Sequence, residues 1–297
     1  IDCSFISRNF KQADYVERQS GLCELALHNF PLLGLGHIRI HNRDGVSYLQ
    51  EMLPVDCLFL DPARRDGHGG KTVAISDCEP DVTVLEPLLV DKAKKVMVKL
   101  SPMLDLSLAL NELKTVRAVH IVAVNNECKE LLLILQKESV SSEVSIHCEH
   151  IAGNGESRHY TFTLKQEKTS PCLLADEVGT YLYEPNAAIL KAGAFRSLTQ
   201  TYPVAKLHLN SHLYTSVSLV PDFPGRRFRV EAVSGFGKKE LKAFLMDMDK
   251  ANITIRNFPL SVAELRKRLK LKEGGDDYIF ATTLSGGQKV LIRGKKC

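Results

Sequence analysis

Five short apolar runs punctuate the first 124 residues, at Ala13–Glu17, His37–His41, Cys57–Leu60, Val96–Leu100 and Ala118–Val124, with amphipathic stretches such as Leu22–Asn29 and Leu104–Leu113 between them. Runs this short suit strands better than helices, and their alternation with helical periodicity points to βαβ units, in which helices cover both faces of a mostly parallel sheet. Past residue 140 the rhythm changes. Between Glu143–Ile151 and His159–Gln166 lies the turn-rich Ala152-Gly153-Asn154-Gly155-Glu156, which is hairpin spacing and too short for a crossover. The expected fold class is therefore α/β, with a mostly parallel sheet finished by an antiparallel hairpin.

The remaining chain reads as two smaller α+β pieces. Lys168-Thr169-Ser170-Pro171 resembles a linker; the segment after it carries a helix over Asn186–Leu198 and strand-like patches at Ala205–Leu209 and Tyr214–Leu219, and it closes on the turn-rich Pro221-Asp222-Phe223-Pro224-Gly225. Then come strand Phe228–Val233, helix Lys238–Lys250, strand Ile253–Phe258, helix Ser261–Lys270, and strands Tyr278–Leu284 and Lys289–Arg293. Ser261 with Glu264 three residues on is a capping-box pattern and fixes the start of that last helix. Boundaries at 1–168, 169–225 and 226–297 follow, and 297 residues exceed what one ordinary core occupies.

Composition narrows the function classes. No apolar run approaches the roughly 18 residues needed to cross a bilayer, and Ile1-Asp2-Cys3-Ser4 has neither a basic start nor an apolar core, so a cytoplasmic protein with no membrane partner is expected. The eight cysteines never stand in a CxxC spacing, which gives no zinc pattern or disulfide framework. His147-Cys148-Glu149-His150 is a weak exception, because strand alternation sends His147 and Cys148 to opposite faces; no metal is expected. Net charge is +4, yet residues 226–297 hold 17 Lys+Arg against 8 Asp+Glu, a balance of +9, and the rest of the chain is at −5. That split points to a polyanion for the C-terminal piece.

Open α/β sheets bind ligands at the carboxyl ends of their strands. Three successive strand ends here carry a carboxylate: Glu17 in Tyr15-Val16-Glu17-Arg18, Asp44 in Arg43-Asp44-Gly45, and Asp61 in Leu58-Phe59-Leu60-Asp61-Pro62-Ala63-Arg64-Arg65. An acid ending a strand suits the hydroxyls of a nucleotide-like ribose, although each is equally a helix cap or an acid favoured by a helix dipole. Pro62 forces Asp61 out of the α region, so its carboxylate keeps a strand-like direction. Arg64 and Arg65 could hold a phosphate bidentately, or pair with Asp66 or Glu79 and shape the loop.

This order of acids and the Asp-Pro-Ala-Arg-Arg segment resembles the class I S-adenosylmethionine-dependent methyltransferases, and in particular the bacterial RNA methyltransferase group with a THUMP-like C-terminal domain. Tyr181-Leu182-Tyr183-Glu184-Pro185-Asn186, Lys191-Ala192-Gly193-Ala194-Phe195 and Phe223-Pro224-Gly225-Arg226 are similar to that group too. The resemblance implies a Rossmann-like first domain, a small ferredoxin-like middle domain and a THUMP-like end. It implies S-adenosyl-L-methionine as cofactor, with Glu17 on the ribose, Asp44 on the adenine edge, Asp2 beside them, and Asp61, Pro62, Arg64 and Arg65 as the catalytic loop. It also implies a glycine-rich turn after a first strand. Gly34-Leu35-Gly36 precedes a strand instead, and Ile1-Asp2-Cys3 looks like the residues just past that turn, so a chain lacking its first strand is expected.

The same loop is similar to that of 5-methyluridine methyltransferases, which need a cysteine after the next strand. Here that strand leads into Ser101-Pro102, and an unactivated hydroxyl is a poor nucleophile. Cys78, in Asp77-Cys78-Glu79, has acidic neighbours that blunt it. Methylation of a nitrogen or an oxygen is expected in preference to pyrimidine C5. The partner expected is RNA, tRNA or rRNA, gripped by Arg226, Arg227, Arg229, Lys238, Lys239, Lys242, Arg266, Lys267, Arg268, Lys270 and Lys272, unless these form only a solvated helix face. A non-catalytic RNA-binding adaptor on a degenerate methyltransferase frame is the alternative; a nicotinamide-dependent oxidoreductase, which Glu17 also suits, is the weakest reading.

Overall fold

The computed structural model describes residues 1–64, 74–137 and 143–297, the side chain of Arg64 excepted. The chain divides into two compact units, the first comprising Ile1–Lys99, Met103–Val116 and Ile134–Ser139, and the second Leu100–Pro102, Arg117–Leu133 and Val140–Cys297.

The first unit runs α1 (Asp2–Ile6), β1 (Ala13–Glu17), α2 (Ser20–Leu32), β2 (Ile38–Asn42), α3 (Gly45–Glu51), β3 (Val55–Leu60), β4 (Ala63–Arg64), β5 (Cys78–Glu79), α4 (Val82–Lys92), β6 (Ala93–Leu100) and α5 (Leu106–Glu112). β1 pairs with β2 in parallel, from Ala13 opposite Ile38 to Glu17 opposite Asn42, and β3 pairs with β6 in parallel. These are the crossovers expected from the apolar rhythm. Cys23, Ala26 and Phe30 form the buried stripe of α2, and Phe30 meets Tyr15 edge-on at 5.6 Å between ring centroids. Aspartates start three helices: Asp44, Asp81 and Asp105 accept backbone N–H bonds from Ser47, Thr83 and Leu108. Helix α4 was not foreseen, since Pro87 stands inside it; Asp81 was its legible signal. Its buried Glu86 accepts from the Lys114 and Thr115 backbone amides at 2.8 and 2.7 Å and from the Thr115 hydroxyl at 2.6 Å, which fixes the turn after α5.

The second unit holds two sheets. The first contains β7 (Val116–Val124), β8 (Glu127–Leu135), β9 (Ser145–Ile151) and β10 (Ser157–Thr163), in the order β10-β9-β7-β8. β7 and β9 are parallel, and β9 and β10 form the expected antiparallel hairpin. β8 is an addition. It follows Asn125-Asn126, whose φ values of 51° and 64° make a two-residue turn matched to strand twist. The strand expected to reach Gln166 ends at Thr163, because Thr163 and Gln166 cap one another and open α6 (Leu164–Thr169).

The second sheet has seven strands. The remaining elements are β11 (Tyr181–Pro185), α7 (Ala187–Ala192), α8 (Leu198–Thr201), β12 (Ala205–Lys206), β13 (Tyr214–Ser216), β14 (Gly225–Ser234), α9 (Lys238–Phe244), β15 (Asn252–Arg256), α10 (Val262–Leu269), β16 (Asp277–Thr283) and β17 (Lys289–Lys296). The order is β12-β13-β11-β14-β17-β16-β15. The helix expected over Asn186–Leu198 stops at Gly193, which takes the left-handed φ of 74°. Alternation along the strands builds a core on each face: Phe280, Val290 and Ile292 pack with Leu182, Leu207, Leu213 and Phe228, while Ile279, Ala281 and Leu291 pack with Phe244 of α9 and Leu265 and Leu269 of α10.

Gly225 opens β14 directly opposite Pro185 of β11. A Cβ there would lie 2.1 Å from the Glu184 carbonyl oxygen, so the strands approach this closely only because the residue is glycine. Gly225→Ala is expected to cost about 3 kcal/mol, the upper range for overpacking against backbone; urea denaturation of the full chain measures it.

Candidate active site and nucleic-acid interface

In the first unit the end of β3 delivers Asp61 to the rim of the sheet, and β6, its parallel neighbour, delivers Lys99. Lys99 Nζ lies 2.7 Å from Asp61 Oδ2 and 2.5 Å from Asp2 Oδ2. One ammonium thus joins the start of α1 to the Asp61-Pro62 corner. Burial opposes the charge on Lys99, but the hydrogen bonds it donates to the two carboxylates outweigh it and hold its pKa well above the usual value. Asp61 remains half exposed beside this largely covered lysine. Lys99 was missing from the sequence-based site, because a lone lysine ending an apolar strand carries no motif.

The other strand-end acids sit in their own loops. Glu17 Oε1 accepts the Gln19 backbone N–H at 2.8 Å, and its carbonyl accepts from Asn42. Asp44 caps α3 by taking both the Ser47 N–H and the Ser47 hydroxyl on Oδ1, at 2.8 and 2.9 Å. These bonds, with the nearby charge of Arg18, hold the Asp44 carboxyl below its ordinary range. Arg18 also lies 3.6 Å from Glu79, which stands opposite Ala63 in the short β4–β5 ladder. Arg18 therefore relates Asp44 to the strand that follows Pro62, and Lys99 ties Asp61 to Asp2; no side-chain bond among the described residues joins the two pairs. Cys78 is buried opposite Arg64. Arg65 and Asp66 lie outside the described residues, as does the side chain of Arg64.

A second polar cluster lines the outer face of β1 and β2. Arg39 grips both oxygens of Asp14 at 3.0 and 3.1 Å, and His41 Nε2 lies 2.7 Å from Oδ1. Burial raises the Asp14 pKa, while the hydrogen bonds from His41 and Arg39 outweigh it and leave the carboxyl below its usual range.

In the second unit the expected RNA-binding residues divide by what they touch. Arg226 does not face solvent freely: its Nε donates to Glu184 Oε2 at 2.8 Å, and Nη2 donates to the same oxygen. Arg256 donates to Glu184 Oε1 through Nε and Nη2 at 3.1 and 2.8 Å. Glu184, 2% exposed, is the shared anchor. Arg227 donates to the Pro221 carbonyl, and Arg266 to that of Ala251 at 3.1 Å. Arg229, Lys238, Lys239, Lys242, Lys267, Arg268, Lys270 and Lys272 are exposed, as a phosphate-binding surface requires. Among the described residues no cluster of His, Cys, Asp or Glu could hold a metal, and no helix is long and apolar enough to cross a membrane. His147 instead stacks on His120, with ring centroids 4.5 Å apart.

Comparison with known proteins places this geometry in context. A family model for a ferredoxin-like domain matches residues 181–224, and a THUMP-like domain model matches residues 225–296. The crystal structure of a "putative methyltransferase" from Porphyromonas gingivalis W83 superposes with a TM-score of 0.86 at 33% identity, covering 100% of this chain and 80% of that one. The chain belongs to the family of that protein. Among curated proteins none matches this chain. The fold class is thus α/β with a parallel sheet, followed by ferredoxin-like and THUMP-like parts. In this family member β11 and β14, which fall in the two adjoining domain matches, are neighbours in one sheet.

Two expectations follow from the ion pairs. Glu184→Ala leaves two guanidinium groups facing each other without their carboxylate and is expected to cost about 3 kcal/mol, the low end for breaking a buried pair because both arginines are one-third exposed; Glu184→Gln should cost less, both read by urea denaturation. Asp14 has a lowered folded pKa, so its contribution is present above about pH 4 and lost as pH falls through that lowered value. The stability gap between wild type and Asp14→Asn, measured by melting midpoint, is expected to be flat near neutrality and to close in acid.

Proposed function

We propose that the chain is an S-adenosylmethionine-dependent methyltransferase acting on RNA, at a nitrogen or oxygen in preference to pyrimidine C5. The observation that carries this reading is the Asp61-Pro62 corner. A carboxylate sits at the carboxyl end of a parallel strand, half exposed and held in place by Lys99, in a chain of a family with a methyltransferase relative. Family membership and the THUMP-like match support it; the exposed lysines and arginines of that region support RNA as the polyanion.

The residues present fit such a cofactor in their donor chemistry. Glu17 and Asp44 each accept their loop hydrogen bonds on one carboxylate oxygen, which leaves the chemistry of the other suited to ribose hydroxyls or an adenine amino group. Asp2 and Asp61 add negative charge that suits a sulfonium. When bound, the cofactor supplies an electrophilic methyl group. What this chain contributes is positioning: Asp61, its direction set by Pro62 and its carboxylate braced by Lys99, accepts a hydrogen bond from the target amino or hydroxyl group and orients that nucleophile. Ser101 stands where a carbon-directed enzyme would need a thiol.

The test is transfer of a labelled methyl group to total bacterial RNA, with cofactor binding followed by calorimetry on the same protein. Asp61→Asn is expected to lower transfer about 100-fold through loss of orientation, and Lys99→Met to lower it by freeing the carboxylate. RNA binding without cofactor binding or transfer would instead identify a non-catalytic adaptor.

A further inference from the structure

We propose that the THUMP-like region carries a docking pocket for one unstacked nucleobase of single-stranded RNA, built from Phe236 and Phe258 with Arg268 and Lys289 at its mouth. A cavity of about 330 Å³ is lined by Phe236, Phe258, Pro259, Leu260, Arg268 and Lys289. It is as large as the smaller ligand sites of proteins. Phe236 follows β14, and Phe258 to Leu260 follow β15, so two loops at one end of the sheet form its walls. The two phenyl rings stack with centroids 5.2 Å apart and 28° between planes. The Arg268 guanidinium lies 5.2 Å from the Phe236 ring centre. Arg268 and Lys289 are both exposed, and no ion pair among the described residues claims either.

The chemistry selects the occupant. A flat, unsaturated ring matches aromatic walls crossed by a guanidinium plane, and the two cations at the mouth match the phosphates on either side of such a ring. The surrounding segment, at +9, favours a polyanion over an aromatic side chain of a protein partner. A base inside a duplex is covered on both faces by its neighbours, so the pocket selects a loop, a bulge or a strand end. Phe236 and Phe258 also pack partly on the core that α9 and α10 cover, which holds the rings in place before RNA arrives. This inference rests on the RNA-directed reading and adds to it the form of RNA that is gripped.

The test uses the full chain and a fluorescently labelled 12-nucleotide single-stranded RNA, beside the same oligomer with abasic central positions and a blunt duplex. Wild type is expected to prefer the intact strand over the abasic one about tenfold, the size of one base stack. Phe236→Leu is expected to erase that preference while leaving affinity for the abasic strand unchanged, which also shows that the variant is folded. Lys289→Gln should weaken both strands alike and shrink the salt slope by about 0.7. The chain has no tryptophan, so Phe236→Trp places one reporter in the pocket; its fluorescence is expected to fall on adding the intact strand and to hold on adding the abasic one. A preference that survives Phe236→Leu, or that wild type never shows, overturns the pocket and leaves the RNA reading standing. Failure of wild type to bind any of the three RNAs at low salt overturns both.

Discussion

A single ammonium group, Lys99 Nζ, organises the rim of the first unit by joining Asp2 to Asp61. Asp2, Asp61 and Lys99 come from three segments far apart in sequence, and only the parallel pairing of β3 with β6 brings the lysine beside the Asp61-Pro62 corner. Proline sets the direction of the acid and the lysine fixes its end. A carboxylate restrained at both points has little conformational freedom left to lose.

The C-terminal unit solves a different problem. Its seven-stranded sheet has a hydrophobic core on each face, so β14, β16 and β17 are constrained from both sides. Outward positive charge stands mainly on helix surfaces, strand ends and loops, as at Lys238, Lys239, Lys267 and Arg268, with Arg229 exposed within β14. The arginines nearest the core are neutralised locally, Arg226 and Arg256 by Glu184. Charge counted along the sequence thus overstates the charge without an internal partner, and the side chains left outward are Arg229 on β14 and those on the helices and their flanking turns.

Much of this was legible in the sequence where the signal was local. The apolar rhythm located the parallel strands, and Ser261 with Glu264 located the start of α10. The Ala152–Glu156 spacing located the hairpin. What escaped depended on partners distant in the chain. Leu131 to Leu135 is an apolar run that serves a helix or a strand equally, and only its seat in the sheet makes it β8. Lys99 looks like the tail of a buried strand until Asp2 and Asp61 arrive from elsewhere. Asp44 was read both for a ligand and as a helix cap, two equally local signals, and the folded chain shows the cap, made on Oδ1. Phe236 and Phe258 lie 22 positions apart in loops with no shared motif, so their stacking emerges only from the sheet that aligns the two loops.

The contact between Glu184 and its two arginines bears on how such proteins can be rearranged over evolutionary time. The carboxylate belongs to the segment matched as ferredoxin-like, and both guanidinium groups belong to the segment matched as THUMP-like. Genetic exchange at the seam would strand an anion in one product and two cations in the other, and would bare a strand edge on each. The three groups therefore work only as one block, and any transplant of the THUMP-like end to another scaffold must carry Tyr181–Pro185 along with it.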